Sequence, residues 1–138
     1  MTATYRLKDA LADYLREIRP SESIAVVDAT QRAEIALPTL AAEIGDPEPH
    51  STALAHVYRC PVEIKLRTHA GDEGDYPTDT VNSWIDQIET SLNDPADVKA
   101  LISEGVRIDY WLYGGSAQEW DESILETTFT AECLVSRI

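Results

Sequence analysis

Histidines, carboxylates, cysteines and tryptophans are the side chains through which this chain could do chemistry, and their spacing decides how much is within reach. His50, His56 and His69 are spread over a turn, a strand and a loop, whereas zinc ligands come in close pairs or a cysteine-rich cluster. No metal site is expected from them. Asp72, Glu73 and Asp75 stand close together, but a helix-loop-helix calcium site spaces its ligands over about twelve residues and ends on a glutamate. They read as a solvated acidic loop. General acid–base catalysis needs two carboxylates converging in a cleft, and with 25 acids in the chain chance pairs carry no information. Serine, histidine and aspartate are all present, yet no serine sits in a nucleophile elbow. Gly114-Gly115-Ser116 lacks the lysine and the helix that would turn it into a phosphate cradle. Cys60 and Cys133 fall on the apolar side of predicted strands and are expected to be reduced core thiols. The sequence therefore predicts no catalytic residue, metal ligand or cofactor, and points away from an enzyme.

Charge is the feature with consequences for partners. The chain carries 25 acids against 11 Lys and Arg, net −14. Residues 1–67 hold ten acids and eight bases; residues 68–138 hold fifteen acids and only Lys99, Arg107 and Arg137. Nucleic-acid binders gain affinity from cationic side chains that displace counterions, so this second half would repel a phosphate backbone. The same sign makes Trp111 and Trp120 packing or interface residues rather than a base-stacking platform. Solubility alone could explain the acidity, or the negative surface could have a task.

The elements that must position these residues follow from periodicity. At 138 residues the chain fits one domain, spanning 1–138, able to bury a core without metal or disulfide support. No basic-then-apolar leader opens it and no apolar run approaches the ~20 residues of a membrane helix, so a soluble, cytosolic product is expected. Leu7, Ala10, Leu11, Tyr14, Leu15 and Ile18 recur at three and four and predict a helix over residues 4–18. Ile24 to Val27 reads as a short strand. Leu40, Ala42 and Ile44 alternate as a second, with Pro38 at its mouth, and Gly45 to Pro49 as a turn or loop. Tyr58, Cys60, Val62, Ile64 and Leu66 define a longer strand from His56. Pro61 within it cannot donate a ladder hydrogen bond and predicts an edge position or a bulge. His69 to Thr78 reads as a loop. A second helix is predicted from Thr78 or Asp79 to Leu92, with Val81, Trp84, Ile85, Ile88 and Leu92 on its buried side and Asp79, Asp86 and Glu89 outside. A short helix from Asp94-Pro95 would bury Val98, Leu101 and Ile102.

A C-terminal hairpin organises the rest. Val106 to Tyr113 and Ser123 to Val135 are predicted strands, joined through Gly114 to Trp120, where the two glycines supply positive φ. In the second strand Leu125, Thr127, Phe129, Ala131, Cys133 and Val135 alternate with Glu126, Thr128, Thr130 and Glu132. Thirteen residues at ~3.3 Å span about 43 Å, longer than a compact domain of this size, so the hairpin is expected to bend, bulge or project. A projecting edge with Thr128, Thr130 and Leu134 outward would template pairing with a neighbouring subunit. The predicted fold is α+β: a mostly antiparallel sheet of about four or five strands, two main helices packed on it, and a projecting C-terminal β-hairpin.

In order and texture the whole chain resembles the tail terminator and tail-completion proteins of long-tailed phages, which act at the head–tail joint. The features shared are the short N-terminal helix with Leu7-Lys8-Asp9-Ala10-Leu11, Leu37-Pro38 leading into a strand, the long strand Tyr58 to Leu66, and the acidic loop. A helix bearing Trp84 and Ile85 and a last strand containing Glu126-Thr127-Thr128-Phe129 complete the likeness. The resemblance implies a virion protein assembled in the host cytoplasm as a homo-oligomeric, usually hexameric, ring at the head-proximal end of the tail tube. Its implied partners are its own copies, the tail tube protein and the connector or neck proteins; DNA passes through without specific binding. It implies neither catalysis nor a cofactor. Within such a ring, Asp72, Glu73 and Asp75, or Glu119, Asp121 and Glu122, are expected to face the lumen or a joint, and Trp111, Trp120, Thr128 and Thr130 an interface. Two other classes are compatible with the residues: an acidic decoy for a nucleic-acid-binding protein, and a small enzyme or ligand-binding domain built around a polar pocket.

Overall fold

A computed structural model describes residues 3–27, 38–51, 54–69, 76–94, 98, 102–103 and 106–136. In chain order they form α1 (Ala3–Ile18), β1 (Ala25–Val26), β2 (Thr39–Ile44), β3 (Glu48–Ser51), β4 (Leu54–His69), α2 (Thr78–Leu92), β5 (Ile102–Ser103), β6 (Val106–Asp121) and β7 (Ile124–Ser136). The fold is α+β, with one open sheet in the order β1-β2-β4-β7-β6-β5; β3 pairs with β4 beyond the end of β2. Only β1 and β2 run parallel. None of the described helices is long and apolar enough to cross a membrane.

Alternation sorts the sheet into two faces. Cys60, Val62, Ile64 and Leu66 of β4 and Leu125, Thr127, Phe129, Cys133 and Val135 of β7 are buried on the face that carries the helices. Arg59, Glu63 and Lys65 occupy the opposite parity of β4, as the period of two demands. The stripe at three and four closes the core from above: α1 buries Leu7, Leu11, Tyr14 and Leu15, and α2 buries Val81, Trp84, Ile85, Ile88 and Leu92. The last carbonyls of a helix have no partner within it. In α2 they are capped from two neighbouring elements: Tyr14 of α1 donates to the Ser91 carbonyl at 3.2 Å and the Trp111 indole of β6 to the Leu92 carbonyl at 2.7 Å. At the other end Tyr76 packs against Trp84, ring centroids 4.8 Å apart.

Several sequence expectations are corrected. Gly114 to Trp120 is not a connecting loop but part of β6, which runs unbroken to Asp121, and the reversal is made at Glu122-Ser123. Glu122 takes the positive φ of 56°, while Gly115, at 106°, serves a bulge between Tyr113 and Gly115. A second bulge lies between Ile108 and Tyr110. Glycine adjacent to glycine signals positive φ without saying whether a turn or a bulge uses it.

The expected loop Gly45 to Pro49 is cut short, because strand β3 (Glu48–Ser51) already begins at Glu48. Pro61 is not on an edge strand, because β4 has β7 on one side and β2 and β3 on the other. It lies opposite the break between β2 and β3, where the Gly45 N–H donates to its carbonyl at 2.8 Å. Its missing donor therefore points at an interruption of the ladder. A Cβ on Gly45 would lie 2.5 Å from the Pro61 ring, so the break requires glycine. Ile102, expected on a short helix, pairs in β5 with Arg107; of that predicted helix Val98 is helical and buried, and residues 95–97 and 99–101 lie outside the described residues. Finally, β7 is no edge. It is paired with β4 and β6 along its full length.

Candidate interaction surface

Strand β6 provides the long margin on one side of the sheet. Among the described residues only Ile102 and Ser103 pair with its outer side, opposite Arg107 and Val106. The direction of its backbone groups follows from the ladder. Gly45 binds the Pro61 carbonyl, so Pro61 faces away from β7 and, by alternation, Cys60 faces toward it. Carried across the register, Glu126, Thr128 and Thr130 face β6, and their partners Glu119, Ala117 and Gly115 face β7. Ser116, Gln118 and Trp120 therefore turn their N–H and C=O groups outward. Every residue from Ser116 to Asp121 is exposed.

The same strand holds the large exposed apolar side chains among the described residues: Tyr110 at 42%, Leu112 at 54% and Trp120 at 51%. Tyr110 opposes Leu134 on the open face of the sheet, whereas Trp120 opposes buried Leu125 and lies on the helix side. Glu119, Asp121 and Glu122 surround Trp120 in sequence and are exposed. The margin is thus apolar at intervals and anionic at its tip, and from Ser116 to Asp121 no strand among the described residues pairs with its outer side.

Of the residues expected at an interface, the structure keeps some here and moves others. Trp111 is a core residue, 2% exposed and committed to the Leu92 carbonyl, so it presents no surface. Its position after the first bulge turns it inward. Thr128 and Thr130 lie on the open face as alternation predicts, but their backbone is already paired on both sides, and the Thr130 hydroxyl donates to the Gly115 carbonyl at 3.2 Å. Asp72, Glu73 and Asp75 lie outside the described residues.

Ion pairs organise the rest of the open face. Glu43 and Glu63 are directly opposed, a repulsive arrangement by itself, and Lys65 reaches both, at 3.3 and 3.8 Å. Arg59 lies 3.3 Å from Glu132. Glu119 likewise opposes Glu126, which lies 3.3 Å from Arg67 Nε, without the alignment of a hydrogen bond. These cations are engaged with local carboxylates, so this face offers little attraction to a polyanion.

Glu89 was expected to stay outside α2, but its carboxylate is a joint between the helix and β6. Oε2 accepts the Tyr113 hydroxyl at 2.6 Å and the Ser116 hydroxyl at 3.1 Å, on either side of the second bulge. No sequence signal marks this, because the bulge that brings both hydroxyls to one side is not visible in the spacing. Two hydroxyl donors on one oxygen make this carboxylate an anchor between helix and strand. Burial first, then the bond to Glu89, hold the Tyr113 hydroxyl protonated well above its ordinary range. The raised pKa means that the folded state keeps a proton the unfolded chain loses near pH 10, so this contribution is complete below pH 10 and declines above it. Tyr113→Phe is expected to flatten the loss of stability above pH 10. Urea midpoints at pH 8 and 10.5 check this; an equal drop in both proteins would contradict it.

A groove of about 380 Å³ between the helices, lined by Ile18, Ser83, Asp86, Gln87, Thr90 and Ser91, is open to solvent. Asp86 is the one carboxylate of that lining, and Ser83 accepts a bond from Gln87 at 3.2 Å. His50 and His56 fall on β3 and β4, and His69 ends β4. Among the described residues no three of His, Cys, Asp and Glu come together in a way that could hold a metal. No protein-family model matches the chain, and no curated protein matches it.

Proposed function

We propose that this chain is a structural virion protein whose copies form a ring, six in number by the resemblance above, on the head-proximal end of a long-tailed phage tail tube. There it ends tube polymerisation and offers the surface to which head connector or neck proteins join. The observation that carries this reading is the row of outward backbone groups at Ser116, Gln118 and Trp120 on β6, flanked by exposed Leu112 and Trp120. An edge with no strand partner among the described residues over Ser116 to Asp121 is a template for strand addition. Joined to a different surface of the next copy, it repeats head to tail and closes into a ring when the rotation permits.

The acidic tip supports the same reading. Glu119, Asp121 and Glu122 have no basic residue near them in sequence, and an anionic lumen lets DNA pass without the counterion-release affinity that a cationic one creates.

Gln118→Pro tests the joint. Proline removes an outward N–H at an edge, where it is tolerated, and leaves the inward pairs Ala117–Thr128 and Glu119–Glu126 in place. The variant is expected to fold, judged by circular dichroism, and to lose at least about tenfold in assembly on tube ends, the effect of ~1.4 kcal/mol per ring contact. Unchanged ring formation on tubes, seen by electron microscopy, would contradict an edge-to-neighbour joint through β6.

A further inference from the structure

The only two cysteines of the chain, 73 positions apart in sequence, are direct partners in the β4–β7 ladder, Cys60 opposite Cys133. Both are fully buried on the helix side, and no disulfide joins them. Neighbouring rows of the same two strands pair Val62 with Ala131 and Ile64 with Phe129, so the packing there does not call for sulfur. Because Pro61 faces away from β7, the cysteines form a hydrogen-bonded pair, with Cα atoms about 5.5 Å apart. Disulfides span Cα separations of about 4.4–6.8 Å.

We propose that Cys60 and Cys133 are a redox modification site, a cross-strand dithiol that hydrogen peroxide converts reversibly into an intrachain disulfide. One thiol gives up its proton and its sulfur attacks a peroxide oxygen; the O–O bond breaks, leaving a sulfenic acid and water. The second sulfur, deprotonated in turn, attacks the sulfenic sulfur, the S–O bond breaks, and the departing hydroxide takes up the proton. Two thiols and one peroxide give one disulfide and two waters, the peroxide being the two-electron oxidant.

The surroundings set the rate and the reversibility. A hydrogen bond with the Cys60 sulfur, and burial after it, hold the Cys133 thiol protonated, and a thiol is a poor nucleophile. The reaction therefore runs through local opening of the sheet and is slow in the closed form. Opposed Cβ atoms in a sheet lie about 4.5–5.5 Å apart, against roughly 3.8 Å in a disulfide. Closing the bond draws two packed strands together, and a bond under such strain is easily reduced.

The test uses the full chain, incubated with hydrogen peroxide in buffer and at a urea concentration just below its unfolding midpoint, then denatured for intact mass and peptide mapping. The expected result is a loss of about 2 Da, for the two hydrogens removed. It comes with loss of both titratable thiols, a Cys60–Cys133 cross-linked peptide, at least a tenfold faster reaction in urea, and full reversal by dithiothreitol. In Cys60→Ser the 2 Da loss disappears. Retention of both thiols at the higher urea concentration, oxygen adducts on separate cysteines, or cross-links between chains would each overturn the proposal.

Discussion

Phe129→Ala is expected to destabilise the protein by about 3–5 kcal/mol, the range for removing a buried aromatic side chain. Phe129 is 1% exposed at the middle of β7, with Ile64 opposite it on β4 and Ser116 on β6. Because β7 lies between the two other long strands, the cavity cannot be relieved by one edge strand folding inward. A domain of ordinary stability has about 5–15 kcal/mol in all, so the loss takes a large share of the margin and is expected to lower the melting temperature by many degrees. Urea denaturation checks this through a lowered midpoint at unchanged slope. A cost below about 1 kcal/mol would mean that this position is not the packed centre of the sheet.

Trp111 separates two sources of stability at one position. Trp111→Phe retains an aromatic ring but removes the indole N–H, leaving the Leu92 carbonyl at the end of α2 without its donor. A buried group deprived of its partner costs about 1–3 kcal/mol. Trp111→Ala adds the cavity and is expected to reach about 3–5 kcal/mol. The difference between the variants measures the packing, and the phenylalanine variant alone measures the cap. Amide exchange adds a spatial readout: protection is expected to fall first in the last turn of α2. If Trp111→Phe is neutral and that turn stays protected, the indole does not hold the helix to the sheet.

How much of this was legible in the sequence depended on whether a feature is local. The helices over residues 4–18 and 78–92 were predicted to within a residue or two, because a stripe at three and four is set within each segment. The alternation of β4 and β7 identified both buried faces for the same reason. Pairing was harder. Nothing in Thr128 or Thr130 reveals that β7 is flanked on both sides, and this moves the open edge to β6. Of the two glycines read as supplying positive φ for the reversal, Gly115 alone has it and uses it in a bulge; a turn and a bulge both use positive φ, and only the register shows which. The same shift of parity turns Trp111 inward and brings Tyr113 and Ser116 to one carboxylate. A bulge reverses sides for everything after it, and no count of alternating residues reveals where that happens. The sequence left Trp120 as a packing or interface residue; its exposure, like the edge position of Glu119, Asp121 and Glu122, follows from the register.

The proposed ring requires β6 to act as a joint between copies, and the ring to halt a growing tube. Light scattering during polymerisation of tail tube subunits, with the purified chain added part-way through, reads this directly. The account predicts that growth stops on addition, that earlier addition gives shorter tubes, and that each stopped tube carries the protein at one end. Tubes that keep lengthening at the same rate in the presence of excess protein would contradict it.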